Sequence, residues 1–144
     1  MLSKILVGVD GSQPSKKALE YASNLASKYD SELYILLHTT EEFGDSVHVQ
    51  RWEQHHSYVN EVRRRSKILL NECESRAKEL GVTKIYTIEK EGNAAEKILE
   101  IANNKGVDTI VVGSRGLSTA KEFLLGSVSH KISHHAKCSI VIVR

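Results

Sequence analysis

Apolar residues along this chain recur with two different periods, and the periods alternate. Ile5-Leu6-Val7-Gly8-Val9 is a continuous apolar run, the pattern of a strand buried on both faces. Asp10-Gly11-Ser12 breaks it, with Ser12 placed to cap a helix that has Pro14 in its first turn. The helix predicted over residues 14–29 keeps Ala18, Leu19, Ala22, Leu25 and Ala26 on one stripe. A second strand is predicted over residues 33–39. Residues 40–54 are then polar and without period, and a connection this long suits a lid, a partner surface or a disordered segment. A helical period returns over residues 55–80, with Val59, Val62, Ser66, Leu69, Leu70, Cys73, Ala77 and Leu80 on one face and Gly81 at the C-cap position. Residues 84–89 read as a third strand. Asn93 and Glu96 have the spacing of an N-cap and its capping-box partner ahead of Ile98, Leu99 and Ile101, and Gly106 closes that helix. Residues 108–112 and 139–143 read as the fourth and fifth strands, separated by a loop and a helix over residues 127–135.

Strands that alternate with helices in this way predict an α/β fold, a doubly wound five-stranded parallel sheet with helices on both faces. In such sheets the crevice where the chain reverses its winding direction collects ligands beyond the strands' C-terminal ends. The first and fourth strands both end in glycine and small polar residues, at Asp10-Gly11-Ser12 and Gly113-Ser114-Arg115-Gly116, which places them side by side at that crevice.

Composition changes the picture little. The 144 residues suffice for one domain, with no internal linker, and 40% hydrophobic against 26% charged residues is ordinary for a globular protein. A net charge of +2 does not argue for a nucleic-acid partner. No run approaches the 18 apolar residues of a membrane span, and the opening apolar run is too short for a secretory leader. Cys73 and Cys138 fit neither a metal spacing nor a disulfide framework. A cytoplasmic protein is expected.

The candidate chemistry lies between Gly113 and Val128. Gly113-Ser114-Arg115-Gly116 is followed, nine residues later, by Gly126-Ser127-Val128. Glycines admit a ligand close to the backbone and allow positive φ. The N–H groups of Gly126, Ser127 and Val128 sit where a helix begins, and the donors and dipole there favour phosphate. Ser127 adds a hydroxyl and Arg115 a charge suited to phosphate oxygens.

On these residues the chain resembles the universal stress proteins of the ATP-binding subgroup. The similarity runs over the whole length: residues 5–12, then Leu36-Leu37-His38, the spacing G-x2-G-x9-G-[S/T] met by Gly113, Gly116, Gly126 and Ser127, and Ala136-Lys137-Cys138 before a closing apolar strand. Serine 139 stands where many members carry proline, and Thr39 where many carry valine. The resemblance implies one domain over residues 1–144 with a Rossmann-like sheet, of the kind also seen in adenine nucleotide alpha hydrolases, in strand order 3-2-1-4-5. It implies that Val9, Asp10 and the backbone near Thr39 hold adenosine. Gly113, Ser114, Arg115 and Gly116 would bridge ribose and phosphates, with Gly126, Ser127 and Val128 on the phosphate chain. The ligand so implied is ATP, with AMP or another adenine nucleotide as the alternative; Mg²⁺ or Mn²⁺ would accompany it, and homodimers would form through the last strand, at Ile140, Val141, Ile142 and Val143.

The function so implied is a regulatory, stress-response ATP-binding module with little turnover. The alternative is a slow metal-dependent ATPase or phosphotransfer enzyme on the same site, but no general base is evident and no G-x4-G-K-[S/T] loop occurs. A phosphoacceptor receiver would need clustered acidic residues after the first strand, and a flavin carrier a phosphate loop there. Asp10 is the one acidic residue in that place, and only Asp10-Gly11-Ser12 stands where the flavin loop would be. Asp10 itself suits either a ligand contact or a turn. His130 and His134, at i,i+4, lack an identifiable third ligand for a metal. Arg63-Arg64-Arg65 reads as a solvated face, Cys73 and Cys138 as packing residues, and Phe43 and Trp52 as candidates to stack or gate over the adenine side.

Overall fold

The computed structural model describes residues 2–39, 52–115 and 125–144. The elements run β1 (Lys4–Val9), α1 (Gln13–Tyr29), β2 (Glu32–Thr39), α2 (Trp52–Glu79), β3 (Lys84–Glu91), α3 (Ala94–Lys105), β4 (Thr109–Gly113), α4 (Ser127–His135) and β5 (Ser139–Val143). All strand pairs are parallel, and the sheet order is β3-β2-β1-β4-β5. The chain winds outward in one direction from β1 through β2 to β3, then returns to β1's other side for β4 and β5. The order inferred from resemblance is therefore the order found, and β1 and β4 are neighbours at the reversal.

Alternating side chains of the central strands feed two apolar layers. Ile5, Val7, Val9, Leu33, Ile35 and Leu37 pack with α1 and with Leu70, Cys73 and Ala77 of α2. Leu6, Leu36, Ile110 and Val112 pack on the other face with Ile98 and Ile101 of α3 and Ile132 of α4. Burial on both faces is why these strands read as unbroken apolar runs.

The helix ends follow the punctuation in the sequence. Ser12 Oγ accepts from the Ser15 N–H at 3.3 Å, and Asn93 Oδ1 accepts from the Glu96 N–H at 3.1 Å. Gly106 ends α3 in the left-handed region at φ 66, which a glycine adopts without strain. Boundaries shift where backbone pairing outlasts the apolar pattern. The third strand runs on through Lys90 and Glu91, because these charged residues pair in register with His38 and Thr39. Similarly, α2 begins at Trp52 rather than residue 55, and β4 occupies Thr109–Gly113 rather than residues 108–112. Most of the polar connection after β2, with Phe43, lies outside the described residues, as do Gly116 and residues 117–124.

Candidate functional site

Parallel strands that all end on one edge leave their last residues facing a common space. Here that space is a cavity of about 640 Å³ at the C-terminal edge of the sheet. Its floor is Val9 of β1 and Asp10 just after it, Leu37, His38 and Thr39 from β2, and Val112 and Gly113 from β4. Arg115 and the start of α4, from Gly126 to Ser129, form one side, and the N-terminal half of α2 forms another.

Eight of the ten residues singled out in the sequence line this cavity: Val9, Asp10, Thr39, Gly113, Arg115, Gly126, Ser127 and Val128. Ser114 does not. Its N–H donates to the Val143 carbonyl at 2.8 Å, and its own carbonyl accepts from the Gly126 N–H at 2.7 Å and from Ser129 Oγ at 3.3 Å. Ser114 is the joint that ties β5 and α4 to the end of β4. Gly116 lies outside the described residues.

That joint changes the reading of the glycines. Gly126 donates its N–H to Ser114, so that donor is not offered to a ligand. Among the described residues, donors are left at Ser127, Val128 and Ser129, the first turn of α4, where no intrahelical carbonyl can reach and the N-cap residue, Gly126, has no side chain to offer. Neither Gly113 nor Gly126 has positive φ. Their missing side chains admit protein instead. A Cβ on Gly113 would lie 2.8 Å from the carbonyl carbon of Pro14, and one on Gly126 would lie 3.1 Å from the Ser114 carbonyl oxygen. Both glycines let elements close up around the cavity.

Asp10 makes the turn considered for it and also faces the cavity. One carboxylate oxygen accepts from the Ser12 N–H at 2.9 Å, fixing the turn into α1, and the residue also lines the cavity. Gly11, at φ 84, permits that turn. The Asp10 N–H donates to Ser15 Oγ at 3.3 Å, which pins the turn to the first helical residues.

His38 was not anticipated as a site residue. Burial lowers its pKa below the usual histidine value, and the negative charge of Asp10 opposes that shift in part. The imidazole, with its charged form disfavoured by burial, lines the cavity floor, and its Nδ1 is buried without a hydrogen-bond partner among the described residues. The signal lay in its place one residue before the end of β2, next to Thr39. The other unanticipated group is the α2 side. Arg65 is solvated as expected, its side chain 77% exposed, and it also lines the cavity rim, with its Nε donating to Glu61 at 3.1 Å. Two bonds from Arg64 reach the same carboxylate, which these arginines hold below its ordinary pKa.

His130 and His134 meet edge to face on α4, with ring centroids 4.7 Å apart. Among the described residues no group of three or more His, Cys, Asp or Glu side chains converges as a metal site. Burial raises the pKa of Cys73 to about 11 and also raises that of Cys138, so neither thiol is poised as a thiolate. No helix among the described residues is long and apolar enough to cross a membrane.

The topology, with a cavity at its reversal, defines a doubly wound α/β protein. The family model described as the universal stress protein family matches residues 1–144, and the chain belongs to that family. It is 41% identical over 152 residues to universal stress protein YxiE of Bacillus subtilis, with 100% of each chain covered. Its fold is similar to that of universal stress protein UspA from Lactobacillus plantarum, at TM-score 0.85 and 21% identity over 99% of this chain and 98% of that one. It is also similar to a universal stress protein solved in complex with cAMP, at TM-score 0.77 and 26% identity, covering 99% of this chain and 97% of that one.

Proposed function

We propose that this chain is an adenine-nucleotide-binding regulatory protein that holds ATP and turns it over slowly or not at all. The observation that carries this reading is the convergence, around one cavity, of Asp10, Arg115 and the uncapped first turn of α4. Free N–H groups at a helix start and a guanidinium suit a phosphate chain. The ends of β1 and β2 offer a floor that mixes Val9 and Leu37 with the polar groups of Asp10, His38 and Thr39, which suits a base and ribose. The similar protein in complex with cAMP supports an adenine nucleotide as the ligand class.

Mg²⁺ or Mn²⁺ enters on the nucleotide's own phosphate oxygens, with Asp10 the nearby carboxylate on the cavity floor. Holding is favoured over turnover because, among the described residues, the groups suited to the phosphates are Arg115 and the first turn of α4, and neither is a general base. Calorimetry with ATP and cAMP in the presence of Mg²⁺ tests the reading. ATP is expected to bind more tightly than cAMP, since only ATP extends three phosphates towards α4, and ADP release should stay far below about 1 s⁻¹. Absence of ATP binding, or cAMP binding the more tightly, would refute ATP as the ligand. ADP release near 1 s⁻¹ would instead favour the slow ATPase.

The same proposal includes a homodimer through β5. This edge strand carries Ile140, Val141, Ile142 and Val143, each only half-buried, and an uncovered apolar edge invites pairing. Sedimentation equilibrium is expected to give twice the chain mass of 16.1 kDa. A monomer at high micromolar concentration would remove this part of the reading.

A further inference from the structure

Helix α2 is longer than the sheet is deep. Its 28 residues extend about 42 Å at the helical rise, whereas the eight residues of β2 extend about 26 Å. The C-terminal part of α2 packs on the sheet through Leu70, Cys73 and Ala77. Leu69 marks the level of the sheet edge, because its Cδ2 lies 3.4 Å from where a Cβ would stand on Gly11, in the turn after β1. The turns before Leu69 rise past that edge. They keep the same stripe, with Tyr58, Glu61, Val62, Arg65 and Ser66 at helical spacing, and all of these line the cavity. Val62 is an apolar side chain left half-buried on this wall.

The two walls differ in chemistry and in position. The start of α4 is tied to Ser114 at the end of β4, on one side of β1, and offers N–H donors. By contrast, α2 packs against β2 and β3, on the other side of β1, and offers Val62 and Leu69 with a polar rim. Glu61 holds Arg65 on that rim at 3.1 Å, so part of the arginine's ordering entropy is already lost before a ligand arrives. A ligand that places its anionic end on α4 therefore brings its least charged end to α2.

We infer that the projecting turns of α2 are the second half of the binding site and grip the base and ribose of the nucleotide, with Val62 as the apolar contact and Arg65 as the polar one. This rests on the adenine-nucleotide reading of the same cavity and adds the residues that distinguish a nucleoside phosphate from a bare polyphosphate. The β1, β4 and α4 residues alone would bind the phosphates but leave one side of the base in water.

Photolabelling with 8-azido-ATP, which carries its reactive group on the base, tests the contact directly. An ATP-competed adduct is expected on the tryptic peptide of residues 52–63, which contains Tyr58 and Val62. ATP-competed adducts confined to other peptides would overturn the α2 assignment while leaving the nucleotide reading standing. No ATP-competed labelling anywhere would remove both. As the energetic counterpart, V62D should weaken ATP at least tenfold with an unchanged circular dichroism spectrum, because Val62 lies above the sheet-packed part of α2. ATP affinity within twofold of the parent, in a folded V62D, would likewise overturn the assignment.

Discussion

Gly113→Ala is expected to destabilise the fold by about 2 kcal/mol and to lower the thermal midpoint by roughly 6 °C. The added Cβ would stand 2.8 Å from the Pro14 carbonyl carbon, 2.9 Å from its Cβ and 2.9 Å from its carbonyl oxygen. None of these is the loose end of a flexible side chain. Pro14 sits in the first turn of α1, held from one side by the Ser12 cap and from the other by the Asp10 turn. Relief therefore requires α1 to move off β4, and that movement disturbs Val9, Val111 and the alanine stripe of α1 packed beside them. Loss of glycine's freedom in the unfolded chain returns roughly 0.4–1 kcal/mol, too little to reverse the sign. Valine at the same place should lower the midpoint further. Thermal unfolding followed by circular dichroism measures both variants. A midpoint for Gly113→Ala within 1 °C of the parent would show that the contact with Pro14 relaxes freely and that the glycine serves some other purpose.

This expectation reverses the reason first attached to Gly113. A glycine after a strand and before a helix suggests close approach of a ligand, and sequence offers no way to see that the nearer object is Pro14, 99 positions away (113 − 14). The strands and helices were legible because each leaves a local mark. Double burial makes Ile5 to Val9 apolar without interruption, and Ser12, Asn93 and Gly106 mark helix ends through chemistry with their own neighbours. Strand β3 was legible only as far as Glu89, because Lys90 and Glu91 are held by main-chain pairing to His38 and Thr39, whatever their side chains.

The site was legible on the side where its residues adjoin one another in sequence. Gly126, Ser127 and Val128 announce a helix start, and Asp10 a strand end. The α2 side carried a true signal with an incomplete meaning. Its apolar face was read as one stripe, but periodicity does not reveal that the sheet ends near Leu69 and that Val62 continues over open space. Arg65 is one of three solvated arginines, as read, but the pattern gave no sign that it also borders the cavity. His38 was marked only by its place one residue before the end of β2. Its interest comes from burial near the charge of Asp10, which follows the neighbouring strand β1.

Gly126→Val should weaken ATP at least a hundredfold, about 2.7 kcal/mol, while leaving the chain folded. Gly126 is the N-cap of α4, at φ −61 and ψ 159, an extended conformation that valine adopts without strain. The difficulty is space. A Cβ there would lie 3.1 Å from the Ser114 carbonyl oxygen and 3.2 Å from Arg115 Cα, and two further methyl groups enlarge the conflict. The 2.7 Å bond from the Gly126 N–H to Ser114 must then lengthen or break, and it is this bond that fixes the start of α4 against the end of β4. The donors of Ser127 and Val128 move with the helix start, and so does Arg115 on the opposing loop. A shift of a few tenths of an ångström strains several charge-assisted hydrogen bonds to phosphate at once. The fold survives because Ile132, fully buried one turn further along, still anchors α4 in the second apolar layer. Calorimetry on Gly126→Val and Gly126→Ala together gives the test, with alanine, which adds only the Cβ, expected to fall between valine and the parent. Affinity within threefold of the parent in a folded valine variant would mean that phosphate is held elsewhere on the cavity wall, and the weld between Ser114 and Gly126 would be structural only.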